Sequence, residues 1–205
     1  IREAPISKVL LFNKDFDDLY AYDGDDLGAI INDATTTFKV WSPLSTSIKL
    51  RIYNNGTPTS VDSTIGSDVY EEYEMVKGDK GVFAYTVDSN LEGKYYTYVV
   101  TNSEYTNREV CDPYAKSCGV NGIRGMIVDF SKTNPQGWDN VVPHPYDRKQ
   151  LTVWETHVAD ITSSDTWTGT EANRKLFKGA YEAGTTYTEN DVTVKTGFDH
   201  IKELG

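Results

Sequence analysis

The chain is short of cations, of sulfur and imidazole ligands, and of long apolar runs, and each shortage removes a class of function. Its 20 Lys and Arg stand against 31 Asp and Glu, a formal charge of -11. Affinity for a phosphate backbone rests largely on Lys and Arg, so nucleic acid is excluded as a partner. Three His and two Cys scattered over 205 residues give no zinc-ligand spacing. No apolar stretch approaches the ~20 residues of a membrane span, and Ile1–Leu10 lacks the layout of a signal peptide. G-x-S-x-G, P-loop and dinucleotide fingerprints are missing, which leaves acyl, phosphoryl and hydride transfer without support.

What is present is enough for a folded core. Hydrophobic residues make up 38% and aromatics 12%, with 14 Tyr, a balance that suits a binder of neutral polar ligands. The length allows one large or two small domains. A first residue of Ile rather than Met points to a processed or internal beginning. Residues 1–34 read as an acidic lead-in. Its Asp15, Asp17, Asp18, Asp23, Asp25 and Asp26 invite a calcium site, but no bidentate acid follows a Gly at the EF-hand offset. A solvated acidic turn is the expectation, with no cofactor and no metal ligand assigned.

From Thr35 the pattern becomes one of short strands. Thr36–Trp41 precedes Pro43; Ile48, Leu50 and Ile52 alternate with Lys49, Arg51 and Tyr53. Asn54-Asn55-Gly56 marks a turn. Phe83, Tyr85 and Val87 share one strand face, as do Tyr96, Tyr98 and Val100. Gly119–Phe130 supplies a Gly-rich turn and one more strand. Several such strands over about a hundred residues imply an antiparallel sandwich across residues 35–130. Cys111 and Cys118 bracket CDPYAKSC, either as a disulfide closing a small loop in an oxidising compartment or as two ordinary thiols.

Residues 131–150, with Asn134-Pro135, Gly137, Pro143 and Pro145, read as a rigid, extended connector. Beyond it, Leu151–Val158 reads as a buried strand and Thr196–Gly205 as a helix, with Thr196 as its N-cap and Phe198, Ile201 and Leu204 at helical spacing. A strand followed by such a helix is the first half of a βαβ unit, which needs a second parallel strand. Residues 151–205 are therefore expected to open a larger domain.

Two groups of side chains qualify as site candidates. Strand alternation puts Val153, Glu155 and His157 on one side of Leu151–Val158. At the C-terminal end of a barrel strand, His157 and Asp160 would border a pocket, or else serve as hydrogen-bonded structural residues. Trp41, Tyr53, Tyr95 and Trp138 have faces that suit stacking on sugar rings, though packing explains most large aromatics equally well. Tyr96 and Tyr98 read as core.

YDGDDLGAI, TTFKVWSPLSTSIKLRIY, GVFAYTV, GKYYTYVV, CDPYAKSCGVNGIRGMIVDF and LTVWETHVADIT stand in this order between Tyr20 and Gly205. The series resembles type I pullulanases, starch-debranching members of the α-amylase superfamily. The resemblance implies a mainly β chain: an immunoglobulin-like antiparallel β-sandwich of starch-binding type, then the first βα unit of a (β/α)8 TIM barrel. It implies hydrolysis of α-1,6-glucosidic bonds in pullulan, starch or glycogen by a retaining, two-carboxylate mechanism. The family's acidic catalytic residues have no counterpart within residues 1–205, so a C-terminal polypeptide is expected to complete the barrel. An extracellular or bacterial cell-surface setting is expected, with the cytoplasm as the alternative. DPYA is among the best-matched stretches, which places Asp112 and Tyr114 at the seam between sandwich and barrel. Ala159 stands where the family commonly has a basic residue, and the two Cys stand where it has other residues. Two other readings remain: a free glucan-binding module, and a domain that only braces the barrel.

Overall fold

The computed structural model describes residues 13–142 and 147–204. They form two compact units that divide between Asp139 and Asn140.

The first unit begins with a short helix, α1 (Lys14–Tyr20). Asn13 caps it by accepting from the Asp15 N–H at 3.1 Å, Asp15 and Asp17 sit at its positive end, and Phe16 is its buried residue. The acidic run thus hides an amphipathic turn of helix. Eight of the nine strands that follow in this unit lie in two four-stranded paths. In one, β1 (Gly28–Ile31) pairs with β2 (Thr36–Trp41), β2 with β6 (Val82–Val87), and β6 with β5 (Val76–Lys77). In the other, the order is β4 (Tyr70–Glu74), β3 (Ser47–Tyr53), β7 (Tyr95–Thr101) and β8 (Arg108–Val110). The ninth, β9 (Gly125–Met126), pairs with β7 at Tyr95 and Tyr96, next to where β8 pairs with Tyr98, Val99 and Val100. All pairings are antiparallel.

The sandwich begins earlier than Thr35. Gly28–Ile31 belongs to its first sheet, with Ala29 opposite Phe38, because a half-apolar GAII segment gains a full ladder by folding back on β2. The alternation read from the sequence sets the core. Phe38 and Val40 from β2, Ile48, Leu50 and Ile52 from β3, Phe83 from β6, and Tyr96 and Tyr98 from β7 all turn inward. Phe38 meets Tyr96 edge-on with ring centroids 5.0 Å apart, a favoured aromatic geometry. The strand expected in Gly119–Phe130 shrinks to β9, since β7 begins at Tyr95 and Gly93, at φ +82°, turns the chain before it.

The second unit contains α2 (Phe177–Ala180), a hairpin of β10 (Thr186–Glu189) and β11 (Val192–Lys195), and α3 (Gly197–Leu204). Asn190 and Asp191, at φ +48° and +65°, make the hairpin turn. Two expectations are corrected here. Leu151–Val158 is no strand: its β-rich composition supplies propensity, but no described segment offers it a ladder, and Val153 is 83% exposed. The helix of the expected βα unit forms, but Thr196 is not its side-chain cap. The Thr196 hydroxyl donates instead to Thr185 Oγ1 at 2.8 Å, and Gly197 sits at φ +62°.

Candidate functional site

Three of the surface cavities differ in the chemistry of their walls. The first is built on the outward face of β2. Trp41 points away from the side carrying Phe38 and Val40, and its indole Nε1–H donates to the Tyr20 carbonyl at 2.8 Å and the Lys80 carbonyl at 3.0 Å. Phe16 meets the same ring edge-on at 6.5 Å. The indole therefore holds the end of α1 against the turn before β6.

A second wall comes from the chain after β8. Asp112 is 4% exposed and shapes a tight turn: its Oδ1 accepts from Tyr114 N at 2.8 Å, and its carbonyl accepts from Ala115 N at 3.1 Å. Its Oδ2 accepts from the Tyr96 hydroxyl at 2.7 Å and the Tyr98 hydroxyl at 3.3 Å. Burial pushes the Asp112 carboxyl above its usual range, and the three donors only partly offset this. The turn lies directly on β1, where Gly28 has φ +95° and an added Cβ would stand 2.9 Å from the Tyr114 carbonyl oxygen. Gly28→Ala is expected to push Tyr114 outward and cost roughly 1–3 kcal/mol. A denaturant titration checks this, and unchanged stability would contradict the close packing.

Trp41, Tyr114, Tyr22, Leu27, Ala21 and Asp17 enclose a cavity of about 290 Å³. At its margin the Tyr22 hydroxyl donates to Asp26, which also pairs with Lys39 from the same outer face of β2. Lys39, then Tyr22, hold the Asp26 carboxyl below its ordinary range, so the cluster is charged at neutral pH. Aromatic faces beside fixed donors and acceptors can hold a ligand that is apolar on its faces and hydroxylated at its edge.

The second cavity, about 500 Å³, lies on the outer face of β3 and β8 among Arg51, Tyr53, Tyr70, Glu109, Cys111 and Arg124. Tyr53, whose face suits stacking on a sugar ring, is not exposed in the fold. It is 2% exposed, with the Arg124 guanidinium 3.7 Å above its ring and its hydroxyl bound to Glu109. Burial, then Glu109, push its pKa to about 12. Tyr70 likewise offers a face to Arg51, 4.2 Å away. Glu109 stays below its ordinary range: burial is the largest influence and acts upward, but Thr97, Tyr53 and Arg51 together outweigh it. This charged network already uses its aromatic faces, which makes it a poorer platform than the Trp41 cavity.

The remaining candidates are dispersed. Tyr95 is half-buried and covers Gly56, where an added Cβ would stand 2.5 Å from its ring. Trp138 is 54% exposed in a short turn, Trp138–Asn140. In the second unit Glu155, His157 and Asp160 are all exposed. Asp160 lines a cavity of about 250 Å³ with Trp154, Ile161, His200 and Ile201, and His157 lies outside that lining. Among the described residues no group of three His, Cys, Asp or Glu can hold a metal ion, and no helix is long and apolar enough to cross a membrane. Sequence reasoning missed Tyr22, although it lies in the YDGDDLGAI stretch.

Residues 26–115 match the model of carbohydrate-binding module 48, described as the isoamylase N-terminal domain. A pullulanase of Bacillus subtilis is 32% identical over 192 residues, 93% of this chain and 24% of its own length. A crystal structure of a mutant pullulanase from Paenibacillus barengoltzii, complexed with maltotriose, aligns at a TM-score of 0.78 and 32% identity. The alignment covers 95% of this chain and 28% of that one. A pullulanase from Anoxybacillus sp. LM18-11 aligns at a TM-score of 0.71 and 35% identity, covering 95% of this chain and 25% of that one. The chain thus spans about a quarter of the length of these three pullulanases. The two-sheet architecture, the family match over its strands and the alignment along nearly all of the chain agree: residues 26–115 resemble carbohydrate-binding module 48, in a chain similar to part of the pullulanases.

Proposed function

We propose that this chain is the N-terminal, α-glucan-contacting portion of a pullulanase-like glycoside hydrolase that cleaves α-1,6-glucosidic linkages in pullulan, starch or glycogen. The observation that carries the reading is the Trp41–Tyr22–Tyr114 cavity: Leu27, Trp41 and Tyr114 lie within the residues that match the carbohydrate-binding family, and Asp17, Ala21 and Tyr22 come from the segment just before them. A glucosyl ring has apolar C–H faces and a hydroxylated rim. Its faces stack on the indole and phenol rings while Asp26, Lys39 and Asp17 exchange hydrogen bonds with the rim. Retaining hydrolysis needs two carboxyl groups about 5–5.5 Å apart across the scissile bond. That pair belongs to polypeptide outside this chain, and residues 151–204 join it in a barrel.

The second unit supports that last step. Leu151, Val153, Trp154, Phe177, Phe198 and Leu204 are exposed apolar side chains, a composition suited to being covered by neighbouring barrel elements. With neighbouring strands present, Leu151–Val158 gains the ladder it lacks here. Amide exchange of the 205-residue chain is expected to be slow in β2, β3, β6 and β7 and fast across 151–158, becoming slow there when the remaining polypeptide is added. The same mixture releases reducing ends from pullulan, whereas this chain alone releases none. Turnover by the mass-verified chain alone, or equal protection in both regions before addition, would overturn the assignment. Asp112 and Tyr114 are proposed to lie where the module meets that barrel, and the setting is proposed to be extracellular or at the bacterial cell surface.

One observation gives Trp41 a structural role within the first unit as well. Both acceptors of the Trp41 Nε1–H are backbone carbonyls of the first unit, at the end of α1 and before β6, so the indole supports its own unit whether or not it touches sugar.

A further inference from the structure

The function above leaves Cys111 and Cys118 unused, and the fold brings them together. β8 ends at Val110, which pairs with Tyr98. The Asp112 turn then reverses the chain, and Cys118 returns to form an isolated antiparallel bridge with Gly125. Gly125 in turn pairs with Tyr96, two residues from Tyr98 along the same edge of β7. Hydrogen bonds hold the returning arm on either side of Cys118: Met126 N to the Ser117 carbonyl at 2.7 Å, and Gly119 N to the Arg124 carbonyl at 2.9 Å. Both sulfurs are free thiols, Cys111 half-buried and Cys118 exposed.

We propose that Cys111 and Cys118 are a redox pair that closes into an intrachain disulfide on meeting a small-molecule disulfide such as oxidised glutathione, fastening the turn that carries Tyr114. Burial, and next the neighbouring Cys118, push the Cys111 thiol up to about 11, so it is a poor thiolate at neutral pH. The exposed Cys118 therefore reacts first. Its thiolate attacks one sulfur of oxidised glutathione, forming a Cys118–glutathione bond and breaking the glutathione S–S bond; the departing glutathione thiolate takes up the proton Cys118 lost. Cys111 then attacks Cys118 Sγ, forms the intrachain bond and expels the second glutathione, which takes up the Cys111 proton. Two protein thiols are oxidised and one glutathione disulfide is reduced to two thiols. Closure spans only the short CDPYAKSC segment, whose ends the β7 edge already holds near each other.

The test treats the 205-residue chain with oxidised glutathione, quenches with acid, and alkylates the unfolded product. Trypsin cuts after Lys116 and so separates the two cysteines, which makes a bridged pair of peptides diagnostic. The expected result is loss of two hydrogen atoms from the intact mass, a fall in alkylated sites from two to none, and one disulfide-linked peptide pair joining 109–116 to 117–124. Cys111→Ser is expected to stop at a single glutathione on Cys118. Two alkylated cysteines after treatment, a lasting glutathione adduct on the unsubstituted chain, or a bond between two chains would each overturn the proposal. The peptide map of the unsubstituted chain decides the matter even if the variant does not fold.

Discussion

Replacing Asp112 by Ala is expected to destabilise the sandwich by about 3–5 kcal/mol, because it removes the common acceptor of two buried phenols. Tyr96 and Tyr98 belong to the fully buried core and both donate to Asp112 Oδ2. Without the carboxylate neither hydroxyl has its acceptor, and the turn carrying Tyr114 loses the bond from its backbone N–H. Asp112→Asn retains an acceptor and is expected to cost less. Its pH dependence has a definite sign. Burial raises the folded carboxyl above its ordinary value of 3.8, so the folded chain keeps a proton that the unfolded chain has released. The contribution of this group is full below 3.8 and falls as pH rises through the raised folded value. Asn mimics the protonated acid throughout, so Asp112→Asn should improve relative to the unsubstituted chain between acid and neutral pH. Urea titrations at the two pH values check this, and a gap that widens toward neutral pH would contradict it.

Arg124→Ala is expected to cost about 3 kcal/mol and to loosen residues 54–69. The guanidinium is nearly buried and donates at 2.7 Å to the carbonyls of Asn55 and Ser67 and at 2.8 Å to Asp68, while covering Tyr53. It fastens the long β3–β4 connection to the sheet from a residue far away in sequence. Lys should not rescue it, since an ammonium on a flexible stem cannot reproduce the planar fork and its stacking on the ring. Amide exchange in residues 54–69 separates a local loosening from global unfolding. Full restoration of stability by Arg124→Lys would mean that charge alone matters there.

These two networks also mark where sequence reading stops. Period-two alternation places Phe38, Val40, Ile48, Leu50, Ile52, Tyr96 and Tyr98 inside, because one buried face per strand is a local property. The same rule puts Tyr53 on the outer face of β3, where it does lie, but a distant Arg124 covers it there. The acidic stretch before Gly28 conceals α1, since charge dominates the segment and Phe16 is its only buried residue. Trp41 and Tyr114 are both legible as candidates, for unrelated reasons, yet nothing local shows that they share a cavity with Tyr22. Leu151–Val158 fails for a related cause: strand propensity is expressed only where a neighbour supplies the ladder.

Migration through native gels with and without dissolved starch tests the central claim most directly. The unsubstituted chain is expected to be retarded by starch. Tyr114→Ala should lose most of that retardation while its melting temperature changes little, because the side chain is 39% exposed and the turn is held by Asp112 and the backbone. Free maltohexaose should release the unsubstituted chain from the gel. Migration that starch does not alter, or retardation undiminished by Tyr114→Ala, would contradict the assignment of the Trp41–Tyr22–Tyr114 cavity as the glucan contact.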